Sequence, residues 1–596
     1  MSWAVQTRLA ASLLLAWAPL ASAQAVLKVP ATYPDIQSAV DAAAAGDTIL
    51  VAPGHYAVSP ITVNSKNLTI VSERGARDTE LFVSTPGRCF TLIGTTTSGS
   101  TPMTIEGFKI LNGHAPDGDP GIFGASGESG GAVLVLGGGA ILRGCDFGSN
   151  RAGSGAFGGP GADGASQSAG GAPGLPGGAG GRGGDGGAVA FLNGATPATP
   201  SRIENCIFHE NQAGSGADGG PGGNGGDDLF GTFGTFDPGG AGGAGGAGGR
   251  AGLGGAIMHA ATARLDVINS TFRLNTLGVP GSGGHGGVGG SGFPSGTTGV
   301  DGGLGGLAVA GGIYTSTGDL HVLHSTLSEN SDVGVFAVLP LFVPPSTFEN
   351  SIAYFNGDLQ DPDVPASITA SFSDIQGGGT AGTNIDKFPE FVDDPIFDEP
   401  DWARHLKGFS PCLDSASSSL AATIAEDIDG DPRVLGTGPD MGSDERFELP
   451  GSGEDLELFL TIDGAKLDQT PGVTIYAGQI AVTKIWDGGF IPFVGKPFVG
   501  HPMLFALQPY PSGPPMGLNP FLLGSVMDPN LPGISLFGFG GGPLGPMILA
   551  PSGMDVAFQI PPGLEGTTVR LQGYVISPNA ANGVWAGTNG IDLRIE

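Results

Sequence analysis

Three aspartates alternate in the stretch Asp427-Ile428-Asp429-Gly430-Asp431-Pro432-Arg433. Carboxylates at every second position are how an acidic loop begins to wrap Ca2+, so Asp427, Asp429 and Asp431 are the candidate metal ligands. The pattern departs from that loop, because glycine holds its fourth position rather than its sixth and no glutamate stands at the twelfth. The competing reading is a solvated turn. A second calcium pattern, G-G-x-G-x-D-x-U-x, fits Gly222-Gly223-Asn224-Gly225-Gly226-Asp227-Asp228-Leu229-Phe230. It occurs once. Such sites are assembled from successive repeats, so one copy cannot complete a ligand set.

Catalytic chemistry needs clustered groups on one face. A glycosidase needs two carboxylates at a defined separation, and a lyase needs acidic metal ligands with a base beside them. The outward positions of the repeat described below are Asp146, Ile207, Thr271 and Thr326, which supply one carboxylate. Arg143, Arg202, Arg264 and Arg273 are read as sharing no column with acids. His209, His259, His321 and His324 are scattered, and lone histidines are more often structural. No Ser-His-Asp spacing stands out. No catalytic residue is therefore assigned, and Ca2+ is the one cofactor considered.

The element that must position these residues is a sentence written four times. Gly130-Gly131-Ala132-Val133 is followed by Ile141-Leu142-Arg143-Gly144-Cys145-Asp146-Phe147 and closed by Asn150. The same order recurs from Gly186 to Asn211, from Gly254 to Asn275 and from Gly311 to Asn330, with degenerate copies at Asn350–Tyr354 and Phe372–Ile375. Apolar residues alternate within each copy, as in short half-buried strands. A unit this small cannot bury its own apolar face, but stacked units can. Stacking at the strand spacing of ~4.8 Å turns aligned positions into ladders: Phe147, Phe208, Phe272 and Leu327 in the core, and Asn150, Asn211, Asn275 and Asn330 at a turn where asparagine tolerates left-handed geometry. Cys145 and Cys206 share a column, as stacked buried thiols or as a bridge.

The pairing of Gly-Gly-Ala-(Ile/Val) with Phe-x-x-Asn resembles the repeat of the polymorphic outer membrane protein family and of bacterial right-handed parallel β-helix proteins. The resemblance covers roughly residues 26–380 and implies that fold, pectate lyase-like in outline, while naming no activity, because such solenoids host lyases, hydrolases, adhesins and inert scaffolds. Further on, Asn384-Ile385-Asp386, Ser410-Pro411-Cys412-Leu413-Asp414, Asp427–Arg433 and Asp440-Met441-Gly442-Ser443-Asp444-Glu445 are similar in order to the choice-of-anchor Q domain, with Gly442–Glu445 diverged. That likeness implies an extracytoplasmic surface protein.

The expected organisation is all-β. Residues 1–23, with Arg8, the apolar Leu13–Trp17 and Ala21-Ser22-Ala23, read as a secretory signal. Residues 24–380 form the β-helix, opened by a short capping helix near Pro34–Ala43, the strand Thr48–Val51 and a turn at Pro53–Tyr56. Residues 381–449 close the helix, and 450–596, with strand-like runs between Pro- and Gly-rich turns, form a C-terminal antiparallel β-sandwich. Three glycine-rich insertions, near 153–186, 214–254 and 278–311, carry outward and returning Gly-Gly-x runs whose period of three is that of polyproline II. The expectation is that these six legs bond into a rigid slab, with Phe230, Phe233 and Phe236 at its tip; flexible loops are the alternative.

Net charge is −32, with 56 acidic residues against 24 basic. Such a chain repels nucleic acid and anionic membranes, and no second long apolar run follows the signal. The reading favoured is a secreted or cell-surface structural or adhesive protein without catalytic activity, whose partner is a surface polysaccharide or another protein. The alternatives are a polysaccharide lyase, a glycoside hydrolase or a carbohydrate-binding protein; ice or crystal binding by the glycine face is a third class.

Overall fold

The computed structural model describes residues 24–445 apart from segments 84–86, 95–101, 169, 193–199, 230–236, 262, 318, 339–345, 358–362, 379–381, 392–403, 407–409, 431 and 435–437, and beyond 455 little more than the strands. The signal segment 1–23, Asp431 and the three tip phenylalanines lie outside the described residues.

Each copy of the repeat contributes one short strand to each of three parallel sheets. A ten-stranded sheet runs from Val26–Val29 to Thr369–Ser371, a nine-stranded sheet from Gly54–Val58 to Asp374–Ile375, and a seven-stranded sheet from Ile61–Asn64 to Val335–Ala337. Neighbouring strands pair in parallel and in register, copy on copy. This is a parallel β-helix. One difference from expectation is that Gly54–Val58 is a strand rather than a turn.

The ladders form as the four copies require. Phe147, Phe208 and Phe272 stack with ring centroids 4.7 Å apart, and all three are fully buried. The asparagine amides bond up the stack at 3.0, 2.9 and 2.8 Å from Asn150 to Asn330. The run continues through Asn356 and ends on the carboxyl of Asp363. Left-handed geometry, expected at these asparagines, falls instead on the residue before each: Ser149, Glu210, Leu274 and Glu329. Among the asparagines that do take positive φ, Asn112 falls beside Ser149 at this turn, whereas Asn205, Asn269 and Asn350 sit at the other turn of the coil. There the column of Cys145 and Cys206 continues as Ser270, Ser325, Ser351 and Ser373, each hydroxyl accepting the N–H of the preceding rung. All four cysteines are free and buried, so Cys145 and Cys206 stack as thiols.

The helix Ile36–Ala42 starts at Asp35, whose carboxylate accepts the Ser38 N–H at 2.7 Å. It presses Ile36, Ala39 and Val40 onto the first coil. A solenoid end exposes core and strand edges, and this helix covers them.

The glycine insertions leave one corner of successive coils and form a slab of two layers. Outward legs 150–167, 211–229 and 275–291 make one layer, and returning legs 171–186, 239–254 and 294–311 make the other. A fourth, shorter hairpin at 113–130, which the spacing did not reveal, precedes them, so the slab has eight legs rather than six. Every third N–H bonds sideways within its layer, as in Gly155→Ser215, Gly158→Asp218 and Gly161→Pro221. Another third bonds across the layers, as in Gly220→Gly178 and Gly223→Leu175. A Cβ added to Gly178 would collide with the Ile122 carbonyl, and one on Gly220 with that of Gly159. Three residues farther out than Gly178 the neighbouring short leg has ended, and Leu175 stands there exposed.

Residues 384–445 first add one rung, Ile385 pairing with Asp374. They then pack on the outer face of the nine-stranded sheet. Ser443 bonds Thr271 and Thr326, Ser417 bonds Asn350, and Met441, Phe391 and Leu406 cluster on Ile352. Beyond 455, a four-stranded and a six-stranded sheet meet where Leu456–Ile462 lies against Trp585–Ile595. Their pairings are antiparallel except that of Val473–Ile475 with Trp585–Ile595.

Candidate functional surfaces

Of the three candidate calcium ligands, Asp427 and Asp429 lie among the described residues. Asp427 is fully buried, and its two oxygens accept the backbone N–H groups of Asp429 and Glu445. Asp429 turns instead toward His405 at 2.9 Å. Together with Asp444 these two present three ligand atoms within 4.8 Å of one another, and this trio is the group near the acidic loop that could hold a divalent cation. The glycine-rich calcium window is also accounted for. Asn224 and Asp227 accept the N–H groups of Val288 and Ser291 on the neighbouring leg. The Ser291 hydroxyl and N–H hold Asp227 below the usual carboxylate range.

Acids and bases do share columns, contrary to the expectation from spacing. On the outer face of the ten-stranded sheet, Arg143 is in register with Glu106 on one side and Glu204 on the other. It bridges to them at 3.3 and 2.8 Å. Arg202 is in register with Asp266 and also reaches Glu204. Arg264 closes the row on Asp266 at 2.7 Å. Parallel stacking sets each residue beside its counterpart, so alternating signs relieve the repulsion a same-sign ladder would carry. Burial pulls the Arg143 guanidinium down, but Glu204 and Glu106 carry it above its ordinary value. Each carboxylate of this row has an arginine partner, which leaves none of them as a spare acid or base.

The outer face of the nine-stranded sheet divides in two. Its later positions, Thr271 and Thr326, are buried beneath residues 442–443. Arg433 holds that flank. Among the described residues it is the largest fully buried side chain, and it donates to Asn269 and to the carbonyls of Ser443 and Gly442. Burial lowers its pKa, opposed by Asp427, Glu445, Asp444 and Asp440 around it. Its neighbour His324 is held well below the ordinary histidine range by burial and by Arg433. At the earlier positions Asp146 sits between His209 at 3.0 Å and Lys109 at 3.8 Å. Gly148 leaves room for the His209 ring, which a Cβ there would strike. A second carboxylate, Glu210, stands 3.8 Å from the other ring nitrogen of His209, so the imidazole separates the two acids. His259, by contrast, is buried between Thr315 and the Ala263 carbonyl, and burial pulls it down to about 4.

The two faces of the slab differ. On the outward-leg face the third residue of each triplet is often Asp, Asn or Ser, and its side chain accepts the backbone N–H of the next leg. Asp163 takes Asn224, Asp218 takes Ser282, and Asn224 takes Val288. On the returning-leg face the corresponding residues are Pro173, Pro176, Ala179, Ala241, Ala244 and Ala247, whose side chains cannot accept. That asymmetry is legible in the sequence once the third residues are sorted by leg direction. The slab rims carry exposed apolar side chains: Ile122, Phe123 and Phe157 at the first edge, Val300, Leu304 and Leu307 at the last.

No family model matches the sequence, and no curated protein matches it. Among the described residues no helix is long and apolar enough to cross a membrane. Among solved structures, the crystal structure of pectate lyase Pel9A is similar at 13% identity, covering 72% of this chain and 97% of that chain with a TM-score of 0.25; at that level it carries no argument about site or activity, and the parallel β-helix rests on the stacked sheets of this chain itself.

Proposed function

We propose that this protein is a secreted or cell-surface scaffold without catalytic activity, whose β-helix holds the glycine slab out as a contact surface. The observation that supports it is the slab's construction: two layers of backbone-bonded legs rooted on consecutive coils, with apolar side chains exposed along both rims. Contiguous exposed apolar surface on a folded protein marks a place of contact. The partner is a surface polysaccharide or another protein. The test is retention of the full-length protein on cells or cell-wall fragments. Variants that loosen a leg, such as Gly220→Ala with Gly243→Ala, should lose retention while the β-helix keeps its melting transition. Unchanged retention would overturn the reading.

One observation favours a second reading, a polysaccharide lyase or glycoside hydrolase: Lys109, Asp146 and His209 converge on one face. Reducing-end and unsaturated-product assays on acidic and neutral polysaccharides should show no turnover. Turnover that disappears in Asp146→Asn would establish the enzyme instead.

A further inference from the structure

In the outward layer, side chains close the third N–H of many triplets, as Ser215 does for Val279 and Asp227 for Ser291. In the returning layer the same position is left open. The N–H groups of Ala241, Ala244 and Ala247, and of Thr297, Val300 and Gly303 on the next leg, have no acceptor among the described residues. The preceding legs offer them only proline rings and methyl groups. Side-chain acceptors return on this face only near the root, where Ser129 and Asp185 accept the Asp185 and Leu253 N–H groups. The charged third residues, Arg182, Asp185 and Arg250, lie there too. The third residues of the outer part are thus uncharged, on a chain of net charge −32, and the nearest charge is Asp301 on the last leg, exposed beside His285. Its donors repeat every third residue, about 9 Å along a leg at ~3.1 Å per residue. Neighbouring legs are rooted on consecutive coils, ~4.8 Å apart.

We propose that this returning-leg face is a binding surface for neutral, insoluble polysaccharide. It rests on the reading of the slab as a contact surface and names the face and the ligand. The backbone donors meet ring and hydroxyl oxygens, while prolines and alanine methyls meet the flat C–H faces of the sugars. A regular row of donors matches a polymer that repeats its acceptors. A field without cations, with the Asp301 carboxylate at its last leg, selects neutral chains over acidic ones.

The test uses the full-length protein in pull-down with microcrystalline cellulose and with chitin, against soluble polygalacturonate as the acidic comparison. The variants follow from the outward face. By analogy with Asp218 on Ser282, Ala244→Asp closes the Val300 N–H, and Ala247→Asp closes that of Gly303. Both add a carboxylate at an open position and should preserve the fold. The pair should weaken binding to the neutral solids about tenfold or more, whereas Pro221→Asp, the same change on the outward face, should leave it as in the wild type. No retention of the wild type on either solid, retention on polygalacturonate alone, or equal losses with both kinds of variant would overturn the proposal. So would adsorption to growing ice without retention on the polysaccharides, which would assign the face to ordered water. If the glycine-to-alanine variants abolish cell-surface retention while the wild type ignores both solids, the contact reading stands and this inference fails.

Discussion

Phe208 is held between two parallel rings at 4.7 Å, and parallel stacking fixes that sandwich by register alone. Phe208→Ala should cost ~3–5 kcal/mol, the range for emptying a packed aromatic site, read by denaturant unfolding. Asp363 ends the asparagine ladder with a carboxyl that burial pushes up to about 7, against the bonds it accepts from Asn356. The folded state therefore keeps its proton up to about pH 7, while the unfolded chain releases it near 4. Between those values the folded state binds more protons, so this residue's contribution to stability is full below about pH 4 and is lost as pH rises toward 7. An amide at this position accepts the same bond and does not titrate. Asp363→Asn should gain stability relative to wild type between pH 4 and pH 8, measured by paired thermal melts. A difference between the two proteins that stays constant with pH would show that Asp363 does not titrate this way.

At the scale of the element, the slab is governed by where a Cβ has room. Gly220 faces the Gly159 carbonyl and Pro221 faces outward, one residue apart. Gly220→Ala should destabilise the slab by ~1–3 kcal/mol, the cost of overpacking, and should speed amide exchange in legs 150–167, 171–186 and 211–229 while leaving the strands Asp146–Gly148 and Ile207–His209 protected. Pro221→Ala should do neither. Rapid exchange throughout all the wild-type legs would return the insertions to flexible loops.

At the scale of the molecule, residues 384–445 are fastened to two coils through Arg433, which reaches Asn269 and His324 and stands among Asp427, Asp440, Asp444 and Glu445. Removing a buried charge from among its partners typically costs ~3–5 kcal/mol. Arg433→Leu should release this flank, giving early proteolytic cleavage within 404–445 and a lower first transition on melting. Protease resistance equal to wild type would mean that the apolar cluster around Ile352 and Met441 is sufficient to dock it.

The sequence by itself determined the coil. Four copies in one register require Phe147, Phe208, Phe272 and Leu327 to stack, and Asn150 through Asn330 to bond rung to rung, because a short alternating strand buries its apolar face only against its own next copy. The period of three in the glycine runs named the polyproline-II geometry, but it left open whether the legs bond to one another or stay flexible. What it did not determine depends on segments that are not periodic with one another. Arg143 and Glu204 are separated by a glycine hairpin, and their shared column depends on how that whole hairpin folds out of the coil. Thr271 and Thr326 look outward in the repeat, yet residues 442–443 bury them from as far as 172 positions away. The short hairpin at 113–130 lacks the long Gly-Gly-x run that marks the others, and its place in the slab is set by hydrogen bonds to legs that come later, such as Gly124→Ala179 and Gly127→Arg182. Periodicity specifies what each residue stacks on; which of the outward residues remain exposed is decided by surfaces that meet only after the chain has folded.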